Sequence, residues 1–212
     1  MGVLRLGRRA FVPEELLVMA VMDRALEPGA ALERVHVVVA EGADILEVSA
    51  GPGEQAGERA EIERIVPFIA TVRDAYPELI VGVRTGRPEV ARQACAVGAD
   101  LLRSRDLGVA AEFGAGVVCP LAWAARAVEA GVEPARIVVS LPQARQLREP
   151  VASGWPVLVS PADGDLATTA VAAWLGARVF RVQGVRATRR VLSMVSAIRG
   201  DIPPAYAVRG LA

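Results

Sequence analysis

Glu41-Gly-Ala-Asp-Ile-Leu-Glu-Val48, Val97-Gly-Ala-Asp-Leu-Leu-Arg103, Phe113-Gly-Ala-Gly-Val-Val-Cys119 and Leu175-Gly-Ala-Arg-Val-Phe-Arg-Val182 are four versions of one phrase. Each joins the end of a helical stretch, a glycine suited to the position just past a helix, and a run rich in β-branched residues. That is the helix-to-strand joint of a βα unit, met four times. Working outward from these joints, strands are expected over 17–22, 45–50, 79–85, 101–104, 117–120, 137–141, 157–160 and 179–183. Helical stretches are expected at 30–41, 61–76, 88–97, 109–114, 122–131, 143–153, 165–175 and 187–199. The strands are nearly continuous apolar runs, as parallel strands covered on both faces are. Pro67 and Pro88 read as lying in or near first helical turns, and Gly131, Gly154 and Gly200 mark further helix ends.

Eight strand-helix units predict an α/β chain closed as a (β/α)8 TIM barrel, one domain over 1–212. An open doubly wound sheet is the alternative, but it brings fewer strands and a crevice motif. The candidate motif, Gly51-Pro-Gly-Glu-Gln-Ala-Gly57, is one residue too long for a dinucleotide fingerprint. Eight units in 212 residues sit near the lower limit for a barrel, so the loops must be short. Ahead of them, Leu4 to Val12 reads as a short hairpin turning at Gly7.

Composition removes several chemistries. All 24 basic residues are arginine, there is no lysine and no asparagine, and His36 is the one histidine. No Schiff base or P-loop lysine can therefore form. One histidine with Cys95 and Cys119 cannot build a zinc site of the usual ligand types. A serine triad would need His36, which lies mid-helix among apolar neighbours and reads as structural. Zero formal charge leaves no electrostatic footprint for nucleic acid. Arg8-Arg-Ala-Phe-Val12 looks like a twin-arginine export signal, but Glu14 and Glu15 interrupt it and the apolar run that follows is too short. No run approaches the roughly 20 apolar residues of a membrane span. The expectation is a soluble, cytoplasmic protein with no cofactor, no metal, no membrane and no nucleic-acid partner.

Barrel sites are built at the carboxyl ends of the strands. Those ends offer Asp23-Arg24, Glu47 with Ser49, Arg84-Thr85, Arg103-Ser104, Cys119-Pro120, Ser140-Leu141, Ser160-Pro161 and Arg181 with Gln183. Asp23, Glu47 and Cys119 are the groups able to move a proton near neutral pH, and Asp23 and Glu47 are the candidate catalytic residues. Arg84, Arg103 and Arg181 suit an anion, since a guanidinium keeps its charge and binds carboxylate or phosphate through a fork of donors. For Arg84 two readings stay open: an anion ligand, or a pair with Glu47 that caps the core. Arg181 stands where barrel phosphates commonly bind, at the last strands.

Three stretches carry a family resemblance: Glu61-Ile-Glu-Arg-Ile-Val-Pro-Phe-Ile69, Gly98-Ala-Asp100 and Phe180-Arg-Val-Gln-Gly-Val-Arg-Ala-Thr-Arg-Arg-Val-Leu192. They resemble dihydropteroate synthase, most nearly the secondary paralogues of that enzyme in high-GC bacteria. The resemblance covers nearly the whole chain, including the Gly51-Pro-Gly-Glu54 loop and Gly154-Trp-Pro-Val-Leu158. It implies a (β/α)8 barrel, condensation of a pterin pyrophosphate with p-aminobenzoate using magnesium, and dimers.

The departures from the family pattern fall on its polar positions. Where the family has asparagine and Thr-Pro-Asp-Ser-Phe after the first strand, this chain has Asp23-Arg-Ala-Leu-Glu-Pro28. The strand-2 aspartate is Glu47, the strand-3 pterin-pocket aspartate is Arg84, and the strand-4 Asn-Asp is Arg103-Ser104. The strand-6 Asp-Pro is Ser140-Leu141, and the strand-7 Ser-x-Lys gives way to Ser160-Pro-Ala-Asp163. Of the strand-8 Arg-x-His, Arg181 remains and Gln183 replaces the histidine. Arginine for aspartate reverses the sign of the pocket, and each pterin donor left unpaired costs about 1–3 kcal/mol. The reading is a pseudoenzyme acting by binding, to an active paralogue, another protein, or an anion such as phosphate or sulfate. Two alternatives stay open: residual synthase activity, or a barrel enzyme repurposed for a phosphorylated small molecule with Glu47 or Asp23 as acid/base and the arginines as clamp. A mouth sealed by ion pairs would favour the first reading, and an open arginine-lined pocket the repurposed enzyme.

A homodimer is expected through the late helices. Leu166-Ala-Thr-Thr-Ala-Val-Ala-Ala-Trp-Leu175 carries no charge, whereas an outer helix of a barrel normally keeps a polar face to water. The stretch from Thr188 to Ile198 adds Leu192, Met194 and Val195. The alternative is that small Ala and Thr side chains let the uncharged helix lie close to the barrel.

Overall fold

The computed structural model describes residues 2–23, 28–49, 57–141 and 147–203. The chain opens with β1 (Leu4–Leu6) and β2 (Arg9–Phe11), an antiparallel hairpin turning at Gly7. Strand and helix then alternate: β3 (Leu17–Asp23), α1 (Pro28–Ala40), β4 (Ile45–Ser49), α2 (Glu58–Ala75), β5 (Ile80–Arg84), α3 (Pro88–Ala96), β6 (Leu101–Arg103), α4 (Leu107–Phe113) and β7 (Gly116–Pro120). A 3-10 turn at Leu121–Trp123 leads into α5 (Ala124–Glu129), and another at Pro134–Arg136 into β8 (Ile137–Ser140). The last units are α6 (Arg148–Ala152), β9 (Val157–Val159), α7 (Leu166–Trp174), β10 (Val179–Val182) and α8 (Val185–Arg199). Strands β3 to β10 are all parallel and close as a barrel in chain order, β10 hydrogen-bonding back to β3. This is the expected TIM barrel with its N-terminal hairpin.

Two local expectations change. Helix α2 begins at Glu58, so Pro67 falls in its interior rather than near its first turn. Of the helix expected over 143–153, α6 is what the structure describes, and 142–146 lie outside the described residues. So do residues 50–56, which carry most of the glycine-rich loop. No helix among the described residues is long and apolar enough to cross a membrane.

The fourth residue of each joint phrase ties the barrel together at its amino-terminal end. In two joints it is an aspartate. Asp44 accepts the N–H of Val18 on the neighbouring strand at 2.8 Å, and Asp100 accepts that of Val81 at 2.9 Å. Each carboxylate also pairs with an arginine from an outer helix, Asp44 with Arg189 of α8 and Asp100 with Arg73 of α2 at 2.5 Å. The same guanidinium groups donate to open carbonyls around the joint, Arg189 to Gly42 and Leu16, Arg73 to Gly98, Leu79 and Pro77. A five-donor fork can satisfy several helix-end acceptors at once.

In the other two joints this residue receives the hairpin instead. Arg178, 1% exposed, donates to the carbonyls of Phe11 (2.8 Å), Val12 and Gly2 (3.2 Å). Burial holds its guanidinium below the ordinary arginine pKa. Gly116 leaves room for Leu6: a Cβ there would stand 2.7 Å from Leu6 Cδ2 and 3.0 Å from the Arg136 carbonyl. Leu4, Leu6 and Phe11 are thereby seated on the inward side chains Leu17, Met19, Ile45, Ile80, Leu101, Val118, Val138, Leu158 and Val179. The hairpin plugs the bottom of the barrel, so the other end is where a ligand can enter.

The third joint is also shifted in register. Leu101 pairs with Gly116, so Gly116 and Val118 face inward while Val117 and Cys119 join the outer core between strands and helices. A one-residue shift turns every side chain of a strand over. Cys119, expected at the mouth, is therefore buried away from it, and burial pushes its thiol up to about 11.

The close fit at the plug makes Gly116→Ala costly. Overpacking of this kind destabilises by about 1–3 kcal/mol. In urea unfolding, Leu6→Ala placed in the same chain is expected to recover part of the loss, so that the double variant costs less than the sum of the two.

Candidate functional site in the barrel mouth

Above the apolar layers the strand ends open into a cavity of about 1750 Å³, floored by Val21 and Val118. At its base lies Glu47, 2% exposed. A buried carboxylate needs compensation by opposite charge and hydrogen bonds. Arg181 supplies most of it, placing Nε 2.7 Å and Nη2 2.6 Å from Glu47 Oε1. Arg103 adds Nη1 at 3.6 Å from Oε2. Burial holds the Arg103 guanidinium below the ordinary arginine value; Glu47 opposes that shift, and neighbouring Arg181 and Arg84 add to it.

Barrel geometry explains this choice of partners. Side chains of one interior layer come from alternate strands. Glu47 on β4, Arg103 on β6 and Arg181 on β10 satisfy that rule, and each is the third residue after the joint position of its phrase. Arg84 belongs to β5, where its register partners are Ser49 on one side and Arg103 on the other. Glu47 is instead level with Gly82. Arg84 thus stands a layer higher, exposed in the cavity and without a carboxylate partner among the described residues. Of the two readings of Arg84, the pair with Glu47 does not form; Arg181 makes it.

The remaining candidates divide plainly. Strand β3 ends at Asp23, whose side chain lies outside the described residues. Ser140, Ser160 and Gln183 line the cavity as strand parity requires. His36 takes no part: it sits on α1 with Nδ1 2.5 Å from the Tyr76 hydroxyl. The strand-end inventory overlooked Arg87, Arg105 and Asp163, which line the mouth from loops beyond the strands. Arg87 donates to the buried carboxylate of Glu61 at 2.6 Å. Its position in Thr85-Gly-Arg-Pro88, between a strand end and a helix start, is the signal that could have found it. The mouth is therefore neither sealed nor simply open: ion pairs close its floor, and arginines line the space above.

A family model described as pterin binding enzyme matches residues 21–125. The chain is 36% identical to Mycobacterium tuberculosis inactive dihydropteroate synthase 2 over 284 aligned positions, spanning 96% of this chain and 89% of the relative. The chain belongs to the dihydropteroate synthase family. Since the alignment is longer than the 212-residue chain, the relative carries segments that this member of the family lacks, in keeping with the short loops. The structure of Mycobacterium tuberculosis Rv1207 superposes with a TM-score of 0.81 at 38% identity, covering 97% of this chain and 100% of the other. A Yersinia pestis dihydropteroate synthase solved with a pterine-sulfa conjugate superposes with a TM-score of 0.84 at 18% identity, over 93% and 99% of the two chains, and shares the fold.

The dihydropteroate synthase resemblance implies magnesium, and the described residues do not fit it. Magnesium takes oxygen ligands in near-octahedral array. Here both oxygens of Glu47 face guanidinium groups, and among the described residues no three His, Cys, Asp or Glu side chains gather where a metal could be held.

Removing one partner of a buried pair leaves the other uncompensated. Arg181→Met leaves Glu47 with Arg103 alone, and urea unfolding is expected to show a loss of about 3 kcal/mol, the low end of the range of about 3–5 for such pairs. Glu47→Leu added to Arg181→Met removes the stranded charge, so the double variant is expected to be more stable than Arg181→Met.

Proposed function

We propose that this chain is a non-catalytic member of the dihydropteroate synthase family that works by binding. The observation that carries the reading is the Glu47 cluster: the one buried carboxylate described at the cavity floor is held by two arginines. A carboxylate locked to a guanidinium is a poor acceptor for a substrate proton, and arginine cannot act as a base. The positions that the resemblance assigns to pterin hydrogen bonding carry Arg84, Arg103 and Ser140. The mycobacterial relatives that match over 96% of the chain bear the name inactive dihydropteroate synthase 2, which supports the same reading. Free, buried Cys95 and Cys119 suit a reducing cytoplasm.

The binding function includes a second copy of the chain. Helices α7 and α8 pack side by side and present an apolar outer face. Val171 and Trp174 are each 58% exposed and Ile198 65%, with Met194 and Leu175 beside them, whereas Leu192 and Val195, expected on this face, turn inward and are buried in the core. Such a patch on two adjacent helices suits a two-fold interface in which each helix meets its symmetry mate. A heteromer with an active paralogue would use the same face.

Two measurements test these readings. Purified protein is expected to show no condensation of a pterin pyrophosphate with p-aminobenzoate, and turnover within about a hundredfold of a typical 10 s⁻¹ overturns the non-catalytic reading. Sedimentation at micromolar concentration is expected to give the mass of two chains, and Trp174→Glu that of one, with circular dichroism showing the fold retained and a melting temperature that no longer rises with protein concentration. A wild-type monomer removes the homodimer.

A further inference from the structure

Among the described residues, the mouth holds more positive charge than its carboxylates answer. Arg84 and Arg103 are register partners on adjacent strands, so two guanidinium groups stand side by side on one wall. Like charges directly opposed on neighbouring strands are unfavourable unless something negative joins them. Glu47 answers Arg103 only in part and Arg84 not at all: Arg181 holds its Oε1, Arg103 reaches its Oε2 at 3.6 Å, and Arg84 lies a layer above. Glu61 is taken by Arg87. Across the cavity, Asp165 accepts the N–H of Thr168 at the start of α7, and Asp163 belongs to the same distant loop. Arg105 adds a further positive group on the Arg103 side. A concave site lined by one sign of charge concentrates its field, and paired guanidinium forks match the oxygens of an oxyanion.

We propose that Arg84 and Arg103 form a seat for the oxyanion of a small polar metabolite, a phosphoryl group or a pair of carboxylates. The seat deepens the binding reading above and rests on it. It replaces recognition of a neutral ring by recognition of charge, at the strand positions where the resemblance places pterin-binding side chains. The cavity is far larger than one oxyanion, so the body of the ligand extends toward the hydroxyls of Ser140 and Ser160. Arg181 is not the primary contact, because Glu47 already occupies it as a tethered carboxylate.

The test is a thermal titration of the full chain with inorganic phosphate, with succinate, and with chloride at matched ionic strength. A saturable rise in melting temperature is expected with phosphate or succinate and not with chloride. Response to phosphate alone identifies a phosphoryl ligand, and response to succinate alone a dicarboxylate. Arg84→Gln, at an exposed position, is expected to keep or slightly raise the unliganded melting temperature while weakening binding at least about tenfold, the loss of one charge-assisted hydrogen bond. Absence of a saturable response, or the same response in wild type and Arg84→Gln, overturns the seat. Either result leaves the non-catalytic reading standing, since that falls only if condensation activity is found.

Discussion

A closed parallel barrel gives each strand side chain two places to go, the enclosed interior or the shell beneath the helices, and it assigns them by strict alternation. The buried charge cluster and the fate of Cys119 follow from how that alternation starts at the four Gly-Ala joints. Where the joint is followed at once by an inward residue, as at Ile45, Leu101 and Val179, the third position turns inward too, and Glu47, Arg103 and Arg181 meet. Where the joint residue itself takes the inward place, as at Gly116, the phase reverses and Cys119 is lost to the outer core. One repeated sequence device therefore sets both the frame of the barrel and the charge cluster at the floor of the mouth.

The charged layer that results is self-sufficient in a way that a catalytic site is not. Taking a carboxylate out of water is unfavourable by several kcal/mol unless opposite charge and hydrogen bonds offset it. Glu47 obtains both from its own barrel, through two contacts from Arg181 and a longer one from Arg103. No metal or substrate is needed to stabilise it. Among the described residues, the charge left without a carboxylate partner lies one layer higher, on Arg84, where the cavity is open and the neighbouring charge is again positive.

The lower end of the barrel shows the same economy with arginine. In a chain without lysine, Arg73, Arg178 and Arg189 each donate to several backbone carbonyls around the joints and the hairpin. A compact ammonium could not span those acceptors, whereas a planar fork can. Arg178 does this while buried, and its Nε has no partner among the described residues. The hairpin it holds seals the base, which is why the functional surface lies at the opposite mouth.

Local sequence alone was enough to count eight units, to place the hairpin turn at Gly7, and to put Glu47, Arg84, Arg103 and Arg181 at strand ends, because glycine-ended helices and β-branched runs act within a few residues of themselves. It also exposed α7 as an outer helix without charge. Which strand ends meet was a different matter. Arg84 stood next to Glu47 in chain order, yet Arg181, 134 residues away, makes the pair, because a tilted barrel stacks alternate strands in one layer. The outward turn of Cys119 and the seating of Leu6 against Gly116 likewise depend on register between segments distant in sequence. Register is decided by closure of the whole barrel, and no single stretch of the chain carries it.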